Sequence, residues 1–218
     1  MCFSTTASFV TAGVTGAIGI ICLVRAAEPR DFLLAATPLV FAAQQAVEGF
    51  LWLTLPHASN GSVASGLTLL FLLIAEVFWP VYAPLAALLV ETDARRRRLI
   101  APCFGIGIGI AAWLLWIIVT RPHSAALQDG HIVYSTGLEP SVTIALGYLA
   151  ATGLSLLLSS RRTVALLGTM VLTGSIVAYF AYWDAFVSVW CYFAAASSLV
   201  LLGHFEWAHR RRERIVDA

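Results

Sequence analysis

Seven apolar stretches, joined by connections that are alternately rich and poor in arginine, leave this chain very few folds to adopt. Every basic residue is arginine, and twelve of the thirteen fall in one set of alternate connections or in the C-terminal tail. These are Arg25, Arg30, Arg95, Arg96, Arg97, Arg98, Arg161, Arg162, Arg210, Arg211, Arg212 and Arg214; only Arg121 belongs to the other set. Short cytoplasmic loops of membrane proteins accumulate Lys and Arg, so this bias orients the chain. The expected fold is all-α: a polytopic membrane protein of seven transmembrane helices, with its N-terminus outside and its C-terminus inside. The spans fall at about residues 7–23, 32–55, 63–90, 99–119, 141–158, 164–182 and 185–202.

Composition agrees. Hydrophobic residues make up 60% of the chain and charged residues 11%, with a mean hydropathy of +0.86, far from an ordinary soluble domain. A spanning helix needs roughly 20 apolar residues. Seven of them use nearly all 218 residues as one transmembrane domain. The first apolar run lacks a basic segment ahead of it and a small-residue cleavage site, so it reads as a span rather than a signal peptide. The Arg95–Arg98 run reads as a topology anchor against membrane lipid, not as a nucleic-acid contact.

Within this apolar background a few polar groups stand out. The second span carries Gln44, Gln45, Glu48 and Trp52. Helical spacing stacks Gln44, Glu48 and Trp52 on successive turns of one face, with Gln45 beside them. Glu48 falls about 10 Å below the outer boundary at 1.5 Å per residue. A carboxyl at mid-span costs about 2.5–3.5 kcal/mol on insertion scales, so it should face the protein interior or water. Glu76 lies near the middle of the third span, four residues before Pro80. Proline cannot donate the hydrogen bond that the Glu76 carbonyl would accept, so a kink with a freed carbonyl is expected there, beside Trp79.

The sixth and seventh spans contribute Tyr179, Tyr182, Asp184, Ser188 and Cys191 at the same outer rim. Together with the second and third spans they outline an outward-facing polar pocket for a small solute, a proton or a cation. The leading expectation is a transporter, channel or receptor-like binder with Glu48 at its centre. One alternative is an intramembrane enzyme using Cys2 or Cys191 as nucleophile or ligand with Glu48 as acid and base. Another is a structural or sensory membrane subunit. The sequence names no cofactor: the absence of lysine excludes a retinal Schiff base, and no GxSxG, HExxH or phosphate-binding loop occurs. His204 and His209, five apart, have the wrong spacing for two ligands on one helical face.

The opening Met1-Cys2-Phe3-Ser4-Thr5-Thr6-Ala7-Ser8-Phe9 resembles the start of an uncharacterised family of bacterial multi-pass membrane proteins that open with MCFSATASF. Thr5 departs from the usual Ala. The likeness extends through Gln44-Gln45 to Glu48, Trp79-Pro80 and Val189-Trp190-Cys191-Tyr192-Phe193-Ala194-Ala195. It implies a bacterial cytoplasmic membrane and a shared site, but no substrate.

Overall fold

The computed structural model describes residues 4–57, 61–128, 130–137, 141–181 and 195–216. Helix α1 (Thr5–Arg25) is capped by the Ser4 hydroxyl, which accepts from the Ala7 N–H at 3.2 Å. A single 3-10 turn at Pro29–Asp31 reverses the chain into α2 (Phe32–Thr54). The two helices pack antiparallel and close. A Cβ on Gly19 would meet the backbone nitrogen of Leu39 at 2.8 Å, and one on Gly49 would meet the ring of Phe9 at 2.9 Å. Gly16 also faces α2, whereas Gly13 faces open space, so the glycine stripe of α1 is used over its inner part only.

Helix α3 (Gly61–Val90) contains a π-helical turn at Leu73–Phe78, in which the Trp79 N–H reaches back to Ile74 O. Pro80 explains it. With no N–H at position 80, the helix widens by one residue instead of breaking. The carbonyl engaged from outside is therefore Ala75's, one residue earlier than α-helical spacing predicts, and it accepts the hydroxyl of Tyr148. Tyr148→Phe should lower stability by about 1–2 kcal/mol by stranding that carbonyl in an apolar interior; thermal unfolding in detergent measures it, and an unchanged midpoint contradicts the role.

Helix α4 (Ala94–Thr120) starts at Asp93, whose carboxylate accepts from the Arg96 N–H at 2.8 Å. Of its three spaced glycines only Gly107 is pressed, against the Pro80 carbonyl and Ala151; Gly105 and Gly109 face open space. Helix α5 (Val142–Leu157) carries a second π-turn at Ala150–Leu154. Helix α6 (Arg162–Ala181) follows, and α7 (Ser198–Val216) ends the described chain.

One feature adds to the expected fold. The connection 120–139 holds a hairpin, β1 (Ser124–Gln128) antiparallel to β2 (His131–Ser135), with Gln128 opposite His131 and Gly130 at φ +76. The fold is mostly helical, with this one small two-stranded sheet besides. The seventh span, expected at 185–202, is described only from residue 195. Among the described helices α1, α3, α4 and α6 are long and apolar enough to cross a membrane, and α5 is apolar but shorter. Helix α2 has 23 residues, and its two glutamines and glutamate lower its hydropathy.

The burial pattern is inverted relative to a soluble protein. Helix α1 buries Ser8, Thr15, Gly19 and Cys22 while exposing Val10, Val14, Ile20 and Val24, and α6 exposes Ile176 and Phe180. Contiguous apolar surface of this kind mismatches water and suits lipid.

Candidate functional site

Helix α2 turns Gln44, Gln45 and Glu48 wholly inward, each no more than 1% exposed. Because α1 lies so close along one side, these side chains are directed toward α3, where Trp79 donates its indole N–H to Gln44 Oε1 at 2.7 Å. The Trp79 ring stacks on Phe41 at 4.3 Å and meets Tyr82 edge-on at 5.6 Å. Gln45 donates through Nε2 to Glu48 Oε2 at 3.4 Å. These bonds join Gln44 to Trp79 and Gln45 to Glu48.

Among the buried polar atoms with no hydrogen-bond partner among the described residues are Gln45 Oε1 and Trp52 Nε1, on the same helix as Glu48, and Ser8 Oγ on α1. Trp52 and Gln45 flank Glu48 by one turn above and below. Ser8 adjoins Phe9, which packs on Gly49, so it belongs to the same level of the bundle. Leaving such a group unsatisfied costs about 1–3 kcal/mol.

Glu76 sits on the π-turn beside this cluster and is partly exposed. No hydrogen bond to its carboxyl is seen among the described residues. Tyr179 is 51% exposed on the outward face of α6, beside Phe180, while Val171, Ser175 and Ala178 form the buried face. Position 179 is about 100° around the helix from Ala178. Tyr182, Asp184, Ser188, Cys191 and Cys2 lie outside the described residues. Cys22 and Cys103 are buried free thiols.

The cluster is covered on one side by the hairpin. Ile132 is fully buried against Val47, Leu51, Phe71 and Ala75, and Tyr134 stacks on Phe71 at 4.3 Å with rings 2° from parallel. On the other side lies a cavity of about 50 Å³ beneath the Trp79 ring, lined also by Thr37, Tyr82, Thr152 and Ser197. Most of its wall is apolar, including Leu34, Phe41, Ala86 and Leu167, as in cavities that stay dry. Trp79 separates the two, with its N–H on Gln44 and its ring in the cavity wall. Below the cavity an apolar layer including Leu34, Val90, Ile100, Val164 and Leu201 closes the arginine-rich end.

Sequence reasoning missed Glu91. It follows the last residue of α3, is 2% exposed, and its carboxylate accepts four hydrogen bonds. These come from Asp93 N at 2.8 Å, Ser159 Oγ at 2.9 Å, Ser160 N at 2.6 Å and Ser160 Oγ at 2.7 Å. Burial alone would raise its pKa, but the hydrogen bonds from Ser160, Asp93 and Ser159 outweigh that and bring it from 4.5 down to about 2. Beside this clasp Arg161 pairs with Asp31 at 3.0 Å, and Arg25 with Glu206 at 3.2 Å. His209 pairs with Glu213 at 3.0 Å rather than with His204. Among the described residues no group of three His, Cys, Asp or Glu could hold a metal ion.

Four described helices long and apolar enough to cross a bilayer, together with a buried Glu48 bonded by Gln45 and a buried Gln44 bonded by Trp79, define the class: a mostly helical protein suited to a membrane, with polar groups in its interior. The chain belongs to a family of unknown function (DUF6629), whose model matches residues 1–217. No curated protein and no solved structure matches it.

Proposed function

We propose that this chain is a seven-span protein of the bacterial cytoplasmic membrane, N-terminus outside, that binds and conducts a small polar solute, proton or cation at Glu48. The observation carrying this reading is the set of unmatched buried atoms on the helix of that carboxyl and on α1: an acceptor at Gln45 Oε1 and donors at Trp52 Nε1 and Ser8 Oγ. A purely structural cluster gains nothing from such atoms, since each detracts from stability. A guest that both donates and accepts would satisfy them. Tyr182, Asp184, Ser188 and Cys191 would form the outer rim.

In this reading the hairpin and the apolar layer are the outer and inner closures, and the arrangement is occluded. Glu48 carries the proton or balances the cation, Gln44 and Gln45 orient solute, and Trp79 is the partition between the cluster and the inner cavity. Glu76, on its π-turn, extends the polar path inward. Alternating access around a mid-membrane site with an interrupted helix is a general transporter arrangement.

The test is reconstitution into liposomes. Internal pH and cation dyes, with a panel of labelled polar solutes, should report movement above that of empty vesicles, or ligand-dependent thermal stabilisation in detergent. If no ion or solute moves and none stabilises the protein, the reading is wrong and a structural subunit takes its place.

A further inference from the structure

At the arginine-rich end, α6 and α7 diverge around an open pocket of about 530 Å³ lined by Arg161, Arg162, Thr163, Gly203, His204 and Trp207. Its wall is organised rather than incidental. Arg161 is held by Asp31 at 3.0 Å, and Thr163 Oγ1 lies 3.0 Å from His204 Nδ1. Arg211 stands over the Trp207 ring, 5.4 Å from its centre. Asp31 offsets Arg161, but neither Arg162 nor Arg211 has an acidic partner among the described residues. The pocket thus carries uncompensated positive charge at the first turn of α6, where the helix dipole adds to it.

The surface leading into the pocket is apolar. On α7 the residues Leu199, Gly203, Trp207 and Arg211 recur every four positions and share one exposed face; Leu199 is 62% and Trp207 58% exposed. On α6 Arg162 is followed one turn later by Leu166, 49% exposed. Each helix therefore runs from exposed leucine to exposed arginine over one or three turns. Gly203 forms the floor between them, and a Cβ there would meet nothing within 4 Å.

We propose that this pocket is a binding site for an anionic phospholipid, its headgroup phosphate held by Arg162, Arg211 and Thr163 and its acyl chain lying along Leu166 and Leu199. The shared chemistry is phosphate recognition. The lipid is the source because a free phosphate has no use for the exposed leucines and Trp207, whereas a lipid needs both halves of the surface. The site is separate from the Glu48 cluster and stands or falls independently of it.

The experiment places the purified full chain in phosphatidylcholine nanodiscs containing a fraction of phosphatidylglycerol and counts retained lipids by native mass spectrometry. Wild type should retain phosphatidylglycerol in preference to phosphatidylcholine, and millimolar inorganic phosphate should not displace it. Arg162→Gln and Arg211→Gln should each weaken retention about fivefold, the value of one arginine near an anionic surface. Gly203→Leu should abolish it by filling the floor. A Cβ at 203 meets no protein atom within 4 Å and leucine raises helix propensity, and an unchanged thermal midpoint in detergent checks that the variant folds. Arg121→Gln, at the other end of the chain's arginine pattern, should retain lipid as wild type does. Equal retention of the two lipids, displacement by phosphate alone, or a Gly203→Leu protein that binds like wild type would each overturn the assignment.

Discussion

Glu48→Gln should reduce transport or ligand binding by about ten- to a hundredfold, because it removes a charged acceptor worth about 1.5–3 kcal/mol to a guest, and it abolishes any proton exchange at that position. Folding should survive. Gln has nearly the same shape, can still pair with Gln45 at the 3.4 Å contact, and spares the insertion cost of a carboxyl, about 2.5–3.5 kcal/mol. The melting temperature should hold or rise while function disappears. Glu48→Ala is a poorer probe, since it also opens a cavity beside the Gly49–Phe9 contact. A Glu48→Gln protein that moves or binds its ligand like wild type would remove the carboxyl from the site.

The second large effect concerns stability. Glu91→Ala deprives four donors of their acceptor and should destabilise by about 3 kcal/mol or more, read as a lowered thermal midpoint in detergent. Two of those donors are backbone N–H groups, at Asp93 and Ser160, and they cannot rotate toward other partners. The clasp also predicts acid sensitivity. The folded-state pKa lies below the ordinary 4.5, at about 2, so the stabilisation is complete above 4.5 and drains away as pH falls toward 2. Wild type should lose stability across that window, and Glu91→Ala should lose less. Identical acid profiles for the two proteins would show that Glu91 is not the group responsible.

Much of this was legible in the residues themselves. The arginine-rich reversals and the inward face of Gln44, Gln45 and Glu48 follow from spacing and polarity, because in an apolar chain each polar group is conspicuous. Pro80 was conspicuous too, but a missing N–H can be resolved by a kink or by a wider turn. The choice of a π-turn depended on Tyr148 being at hand for the Ala75 carbonyl, 73 residues away. The hairpin had a signal in Asp129-Gly130 between two short segments, one that hydropathy does not weigh. Glu91 had none: next to Thr92 and Asp93 it looks like a solvated loop acid, and its serine partners come from a connection 68 and 69 residues further on.

The decisive measurement is an experimental density map of the protein in a lipid nanodisc, fine enough to show ordered water and small solutes. The account predicts non-protein density within hydrogen-bond distance of Gln45 Oε1, Trp52 Nε1 and the Glu48 carboxyl, present in wild type and diminished in Glu48→Gln. A dry interior, with those three groups closed off by protein side chains alone, would contradict it and leave a bundle whose buried glutamate serves packing.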